Sequence, residues 1–176
     1  MINQEVKGTL AKLLATENLT VEHRKVTTAS FDVVNRVLVL PIWKTASSTV
    51  YDLLVGHEVG HALYTPDTVH DANRGFVNVL EDVRIEKMMK RTYPGLRKSF
   101  FEGYTELNDD DFFGVNDEDL TKIPFIDRIN LWFKGNPNIQ FSDEEQVWVD
   151  RAAKTETFDE VVPVSYTHLT LPTKSS

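Results

Sequence analysis

The sequence predicts an α+β protein in which an N-terminal helix and a small antiparallel sheet pack on a long central helix, with a mostly helical part following. Three observations lead there. Apolar residues recur at helical spacing in Val6, Leu10, Leu13 and Leu14. A β-branched stretch runs from Thr20 to Ile42 and breaks at Asn35-Arg36. From Ser47 onward, helical patterns alternate with Pro, Gly or acidic breaks.

The first helix should end near Asn18 and use its Val6–Leu14 stripe to pack on the sheet. SFDVV and VLVLPI then form the two arms of a hairpin. Pro41 cannot donate a ladder hydrogen bond, which predicts that the second arm reaches a sheet edge. TASST offers hydroxyl caps for the helix VYDLLVGHEVGHALY, which Pro66 stops. A second strong helix, FVNVLEDVRIEKMMKR, ends at Tyr93-Pro94-Gly95. Further helices follow at LRKSFFEGYTEL, at IPFIDRINLWFK and after the capping box of Ser142 and Glu145. The acidic stretch with Glu106, Asp109, Asp110, Asp111, Asp117, Glu118 and Asp119 reads as a solvated loop without EF-hand spacing.

Composition limits the function. The chain has 176 residues, 41% of them hydrophobic, which suffices for a core. A net charge of -8 argues against nucleic acid or an anionic membrane as partner, since both require a basic surface. The absence of cysteine removes disulfides and thiolate ligands, so a metal would have to use His, Asp and Glu. Neither a signal peptide nor a membrane span is visible at the N-terminus, and a cytoplasmic location is expected.

The chemistry is carried by His57-Glu58-Val59-Gly60-His61. On a helix, histidines four apart share a face and can direct two imidazoles at one ion. Glu58, one residue round from His57, can reach a water at the open coordination position without becoming a ligand. Zinc is therefore the expected cofactor and peptide-bond hydrolysis the expected reaction. A catalytic zinc needs a third protein ligand. Glu81 is the first candidate, because its face-mates Val77, Ile85, Met88 and Met89 are apolar and a buried carboxylate needs a partner. Asp82, Asp67 and His70 are the alternatives. Asp82 could instead accept from a ligand histidine, and Glu86 reads as a surface residue paired with Lys90.

HEVGHALYTP and NVLEDVRIEKMMKRTYPGLR resemble the N-terminal peptidase-like region of large proteins from tailed bacteriophages of marine cyanobacteria. They are also similar to bacterial proteins that join such a region to a C-terminal von Willebrand A domain. The resemblance covers about residues 1–107. It implies a zincin-like metallopeptidase core there, with His57, His61 and Glu81 as zinc ligands in the gluzincin arrangement and Glu58 as catalytic residue. For a phage protein it places the chain in the host cytoplasm, with a von Willebrand A domain missing from this chain. One departure concerns the acidic residue that thermolysin-like gluzincins carry four positions after the ligand glutamate. Ile85 stands there, which leaves Asp82 as the substitute.

Residues 108–163 read as a truncated helical extension. VSYTHLTLPTKSS, residues 164–176, resembles translated sequencing-adaptor read-through and is expected to be a non-native, dispensable tail. A protein or peptide substrate could add as a strand along Val37–Pro41. Tyr64, His70, Arg84, Tyr93 and Tyr104 are candidate oxyanion donors. The cluster Arg84, Lys87, Lys90, Arg91, Arg97 and Lys98 reads as a solvated helix face. The competing expectation is a zinc-binding interaction module without catalysis, in which the metal staples two helices.

Overall fold

Lys7 and the small residues Gly8, Ala11 and Ala15 form the buried face of the first helix, α1 (Gln4–Ala15), while Val6 and Leu13 are exposed. The expected apolar stripe is thus out of phase with the one that packs. Small side chains let α1 approach closely, with Gly8 lying against Val21. Lys7 Nζ is 2.5 Å from Asp52 and 2.8 Å from Ser48 Oγ, so the buried ammonium is paired. The computed structural model describes residues 2–68 and 73–169, with side chains to residue 165.

Three strands follow: β1 (Thr20–Arg24), β2 (Ser30–Asp32) and β3 (Val37–Pro41). The hairpin across Asn35-Arg36 is present, with Ser30 opposite Val39 and Asp32 opposite Val37. Its turn is tied by the Asp32 carboxylate, which accepts from the backbone of Val34 and Asn35. The sheet is mixed and not antiparallel throughout, because β1 lies parallel to β3 on its other side, giving the order β1-β3-β2. β3 is therefore central, and the expectation that Val37–Pro41 forms an edge is corrected. The uninterrupted apolar run VLVLP fits a strand covered on both faces. Pro41 is tolerated because Ile42 donates to Arg24 on the β1 side. Its own missing donor then faces the opposite side, beyond the point where β2 has ended.

The helices are α2 (Ser48–Tyr64), α3 (Arg74–Thr92), α4 (Leu96–Asp109), α5 (Phe125–Phe133), α6 (Asp143–Lys154) and α7 (Phe158–Leu169), with a 3-10 turn at Leu120–Lys122. The described architecture is thus α+β. None of the described helices is long and apolar enough to cross a membrane.

The chain forms two compact units, Met1–Asp67 with Ile85–Glu106, and Thr68–Arg84 with Leu107–Ser176. One boundary falls between Glu106 and Leu107. The other falls inside α3, because Val77 and Leu80 from its first half belong to the core of the second unit, with Ala152 and Val161. In α7, Val164 packs against that same core and Ser165 is buried.

Candidate metal centre

The HEVGH segment occupies the last two turns of α2. Ser47 caps the helix by accepting from Val50 N, and Glu106 of α4 accepts in turn from Ser47 N and Oγ. α2 has no acid in its own first turn, so Glu106 brings negative charge to the positive end of its dipole. Val50, Leu53 and Leu54 are buried as expected, and Val55, Val59 and Ala62 are buried as well. A helix packed on several sides can hold its polar side chains at fixed positions.

His57 and His61 lie one turn apart with ring centroids separated by 5.0 Å, and the ring nitrogens able to share an ion are within 4.8 Å of each other. Each ring is held through Nδ1. The His57 Nδ1 donates to Glu86 Oε1 at 2.7 Å, since a carboxylate only accepts. The His61 Nδ1 is 2.9 Å from Thr65 Oγ1, at the C-cap of the same helix. With Nδ1 of His57 donating, its Nε2 carries the lone pair that a metal requires, and His61 reaches the same state when the Thr65 hydroxyl accepts from its Nδ1. Glu58 is buried between them in sequence, 8% exposed.

The second helix presents three acids with three different partners. Glu81 is buried on the apolar face, as its periodicity predicts, with Val77 and Ile85 buried beside it. Its carboxylate is held bidentately by Arg84, with Nε at 2.5 Å from Oε1 and Nη2 at 3.1 Å from Oε2. The charge argued to need zinc is thus met by an arginine three residues along the same helix, and Arg84 also donates to Glu156 O. Asp82 is half-buried and 3.1 Å from Lys134 Nζ. α3 is one unbroken helix, so Asp82 stands one turn before Glu86 on the face that carries the partner of His57. His57, Glu58, His61 and Glu86 belong to the first compact unit, and Glu81 and Asp82 to the second. Asp67 is exposed, and His70 lies outside the described residues.

The chain matches no protein-family model, and neither the curated proteins nor the solved structures include a match.

The residue that sequence reasoning missed is Glu86. It was expected at the surface beside Lys90, yet it is 5% exposed and accepts from both His57 and Tyr104. A signal was available, since Asp82 and Glu86 are acids four apart on one helix face. That spacing is the one sought from Glu81 to Ile85, displaced by one residue. The tyrosines weighed as oxyanion donors have other partners: Tyr64 pairs with Thr92, Tyr93 donates to Leu14 O, and Tyr104 donates to Glu86. Nor do the basic residues form one solvated face. Arg84 is buried, and Lys90 lies over the Phe100 ring.

Proposed function

We propose that this chain is a zinc-dependent metallopeptidase with a zincin-like active-site helix. His57 and His61 hold the ion through Nε2, Asp82 supplies the carboxylate ligand, and Glu58 is the catalytic acid–base. The observation that carries this reading is the hydrogen bond from His57 Nδ1 to the buried Glu86 on a helix that presents a second histidine one turn later. Metal-ligating histidines characteristically donate their other ring N–H to a carboxylate or carbonyl, which fixes tautomer and orientation. The donor set of two imidazoles and a carboxylate, without sulfur, suits zinc in a catalytic site.

When bound, zinc supplies Lewis acidity, which brings the pKa of water toward about 7 and polarises a carbonyl. The protein's own part falls to Glu58. Its carboxylate takes a proton from the attacking water and returns it to the leaving amine. Burial favours this role, because a carboxylate screened from bulk water passes its proton to the substrate in place of the solvent. The substrate is a peptide in extended form. With β3 central, such a peptide would add to one of the outer strands, β1 or β2.

The test is Glu58→Gln, which keeps size and shape and removes the base. Zinc content and folding should match wild type, while hydrolysis of an unstructured protein and of a mixed peptide library should fall by about 100-fold to 10,000-fold. If zinc-loaded wild type cleaves nothing in that screen, the non-catalytic zinc module becomes the better reading.

A further inference from the structure

Glu86 Oε1 receives two donors, the Nδ1–H of His57 at 2.7 Å and the hydroxyl of Tyr104. We propose that Tyr104 is a positioning residue of the metal centre, acting on His57 through Glu86. The proposal rests on the reading of His57 as a ligand, and it assigns to α4 a part in setting that ligand's geometry.

A buried carboxylate oxygen with a single donor can rotate about its terminal torsion to improve that one bond. Two donors from different helices remove this freedom, because turning toward one lengthens the other. Glu86 comes from α3, His57 from α2 and Tyr104 from α4, so the shared oxygen is held from two sides. The tyrosine itself is fixed. It is 6% exposed and stacks on Phe100, one turn earlier on α4, with centroids 6.2 Å apart. Next to it, Gly103 lets α4 press against α2, since a Cβ there would lie 2.7 Å from Leu53 Cδ1. The hydroxyl therefore arrives on a rigid support, and the line Tyr104–Glu86–His57 ends at the imidazole Nδ1. Hydrogen-bonding partners of a ligand histidine typically tune metal affinity by about 10-fold to 100-fold, and a residue one step further out should act at the lower end.

Tyr104→Phe removes the hydroxyl and keeps the ring. Two readouts separate positioning from mere packing. In metal-free protein, nitrogen-15 NMR of the histidine side chains reports the Nδ1–H of His57 with His61 as internal control. In a chelator competition, zinc affinity is read directly. We expect the His57 Nδ1–H signal to shift and exchange faster, His61 to stay unchanged, and zinc affinity to drop about tenfold. Should Tyr104→Phe fail to fold, fluorotyrosine introduced at position 104 keeps the hydroxyl, strengthens its donation and should shift the His57 signal in the opposite sense. A His57 signal and zinc affinity identical to wild type in the folded variant would overturn the proposal. If wild type takes up no zinc, the metal reading fails, while the His57 signal of the metal-free protein still decides whether Tyr104 acts on it.

Discussion

Three acids stand within six residues of one helix, and each is held by a different kind of cation or donor. Glu81 is paired with Arg84, Asp82 with Lys134, and Glu86 with Tyr104 and His57. Their consequences on substitution should differ accordingly. Asp82→Asn should weaken zinc binding with little loss of stability, because Asp82 is only half-buried. Glu81→Gln should retain zinc but lose about 3–5 kcal/mol of stability, the usual cost of leaving a buried charge without its partner. Calorimetry with zinc titration separates the two, and a zinc loss confined to Glu81→Gln would restore Glu81 as ligand. A second prediction concerns His23 on β1, whose Nε2 has no hydrogen-bond partner among the described buried polar atoms. Desolvation lowers its pKa below 6.5, so the unfolded chain binds the proton more readily than the folded one. Its contribution is therefore intact above about pH 6.5 and is lost as pH falls below it. In His23→Leu the loss of stability between about pH 7 and about pH 5 should be smaller than in wild type by denaturant titration. Periodicity correctly read Glu81 as buried. It could not say which cation met the charge, because Arg84 lies three residues away on the same helix and its side chain direction is a matter of packing.

At the scale of elements, closeness of approach decides what periodicity leaves open. α1 carries two stripes, one of large apolar residues and one of small ones, and the small one packs because it admits Val21 and pairs Lys7 with Asp52. A count of hydrophobic residues favours the wrong stripe. The same rule operates where α2 meets α3. A Cβ on Gly60 would lie 2.8 Å from Ile85 Cδ1 and 3.0 Å from Met89 Cγ. Gly60→Ala should gain up to about 1 kcal/mol of helix propensity and lose about 1–3 kcal/mol to overpacking. The net effect should be destabilising in urea unfolding, with weaker zinc binding, since Glu86 follows Ile85 directly on α3. An alanine variant as stable as wild type would show that the side chains yield and that glycine is not required there. The helices α2 and α3, the hairpin and the capping of α6 by Ser142 were all legible, because each has local punctuation. The parallel pairing of β1 was not, since it joins β1 to the second arm of the hairpin across the whole first arm and its turn.

At the scale of the molecule, the division into two units passes through α3, which no composition shift marks. Long helices that serve two cores read in sequence as one amphipathic element, and only tertiary contacts reveal the change of partner. The histidine pair was legible for a different reason. His57 and His61 are fixed by one turn of one helix, whereas a third donor on another helix depends on how the two helices pack. X-ray absorption on purified protein after zinc loading shows whether the proposed centre holds zinc. The expected result is about one ion per chain in a shell of two imidazole nitrogens with oxygen completing four ligands. A well-folded protein that takes up no zinc, or a shell lacking the two imidazoles, would contradict it.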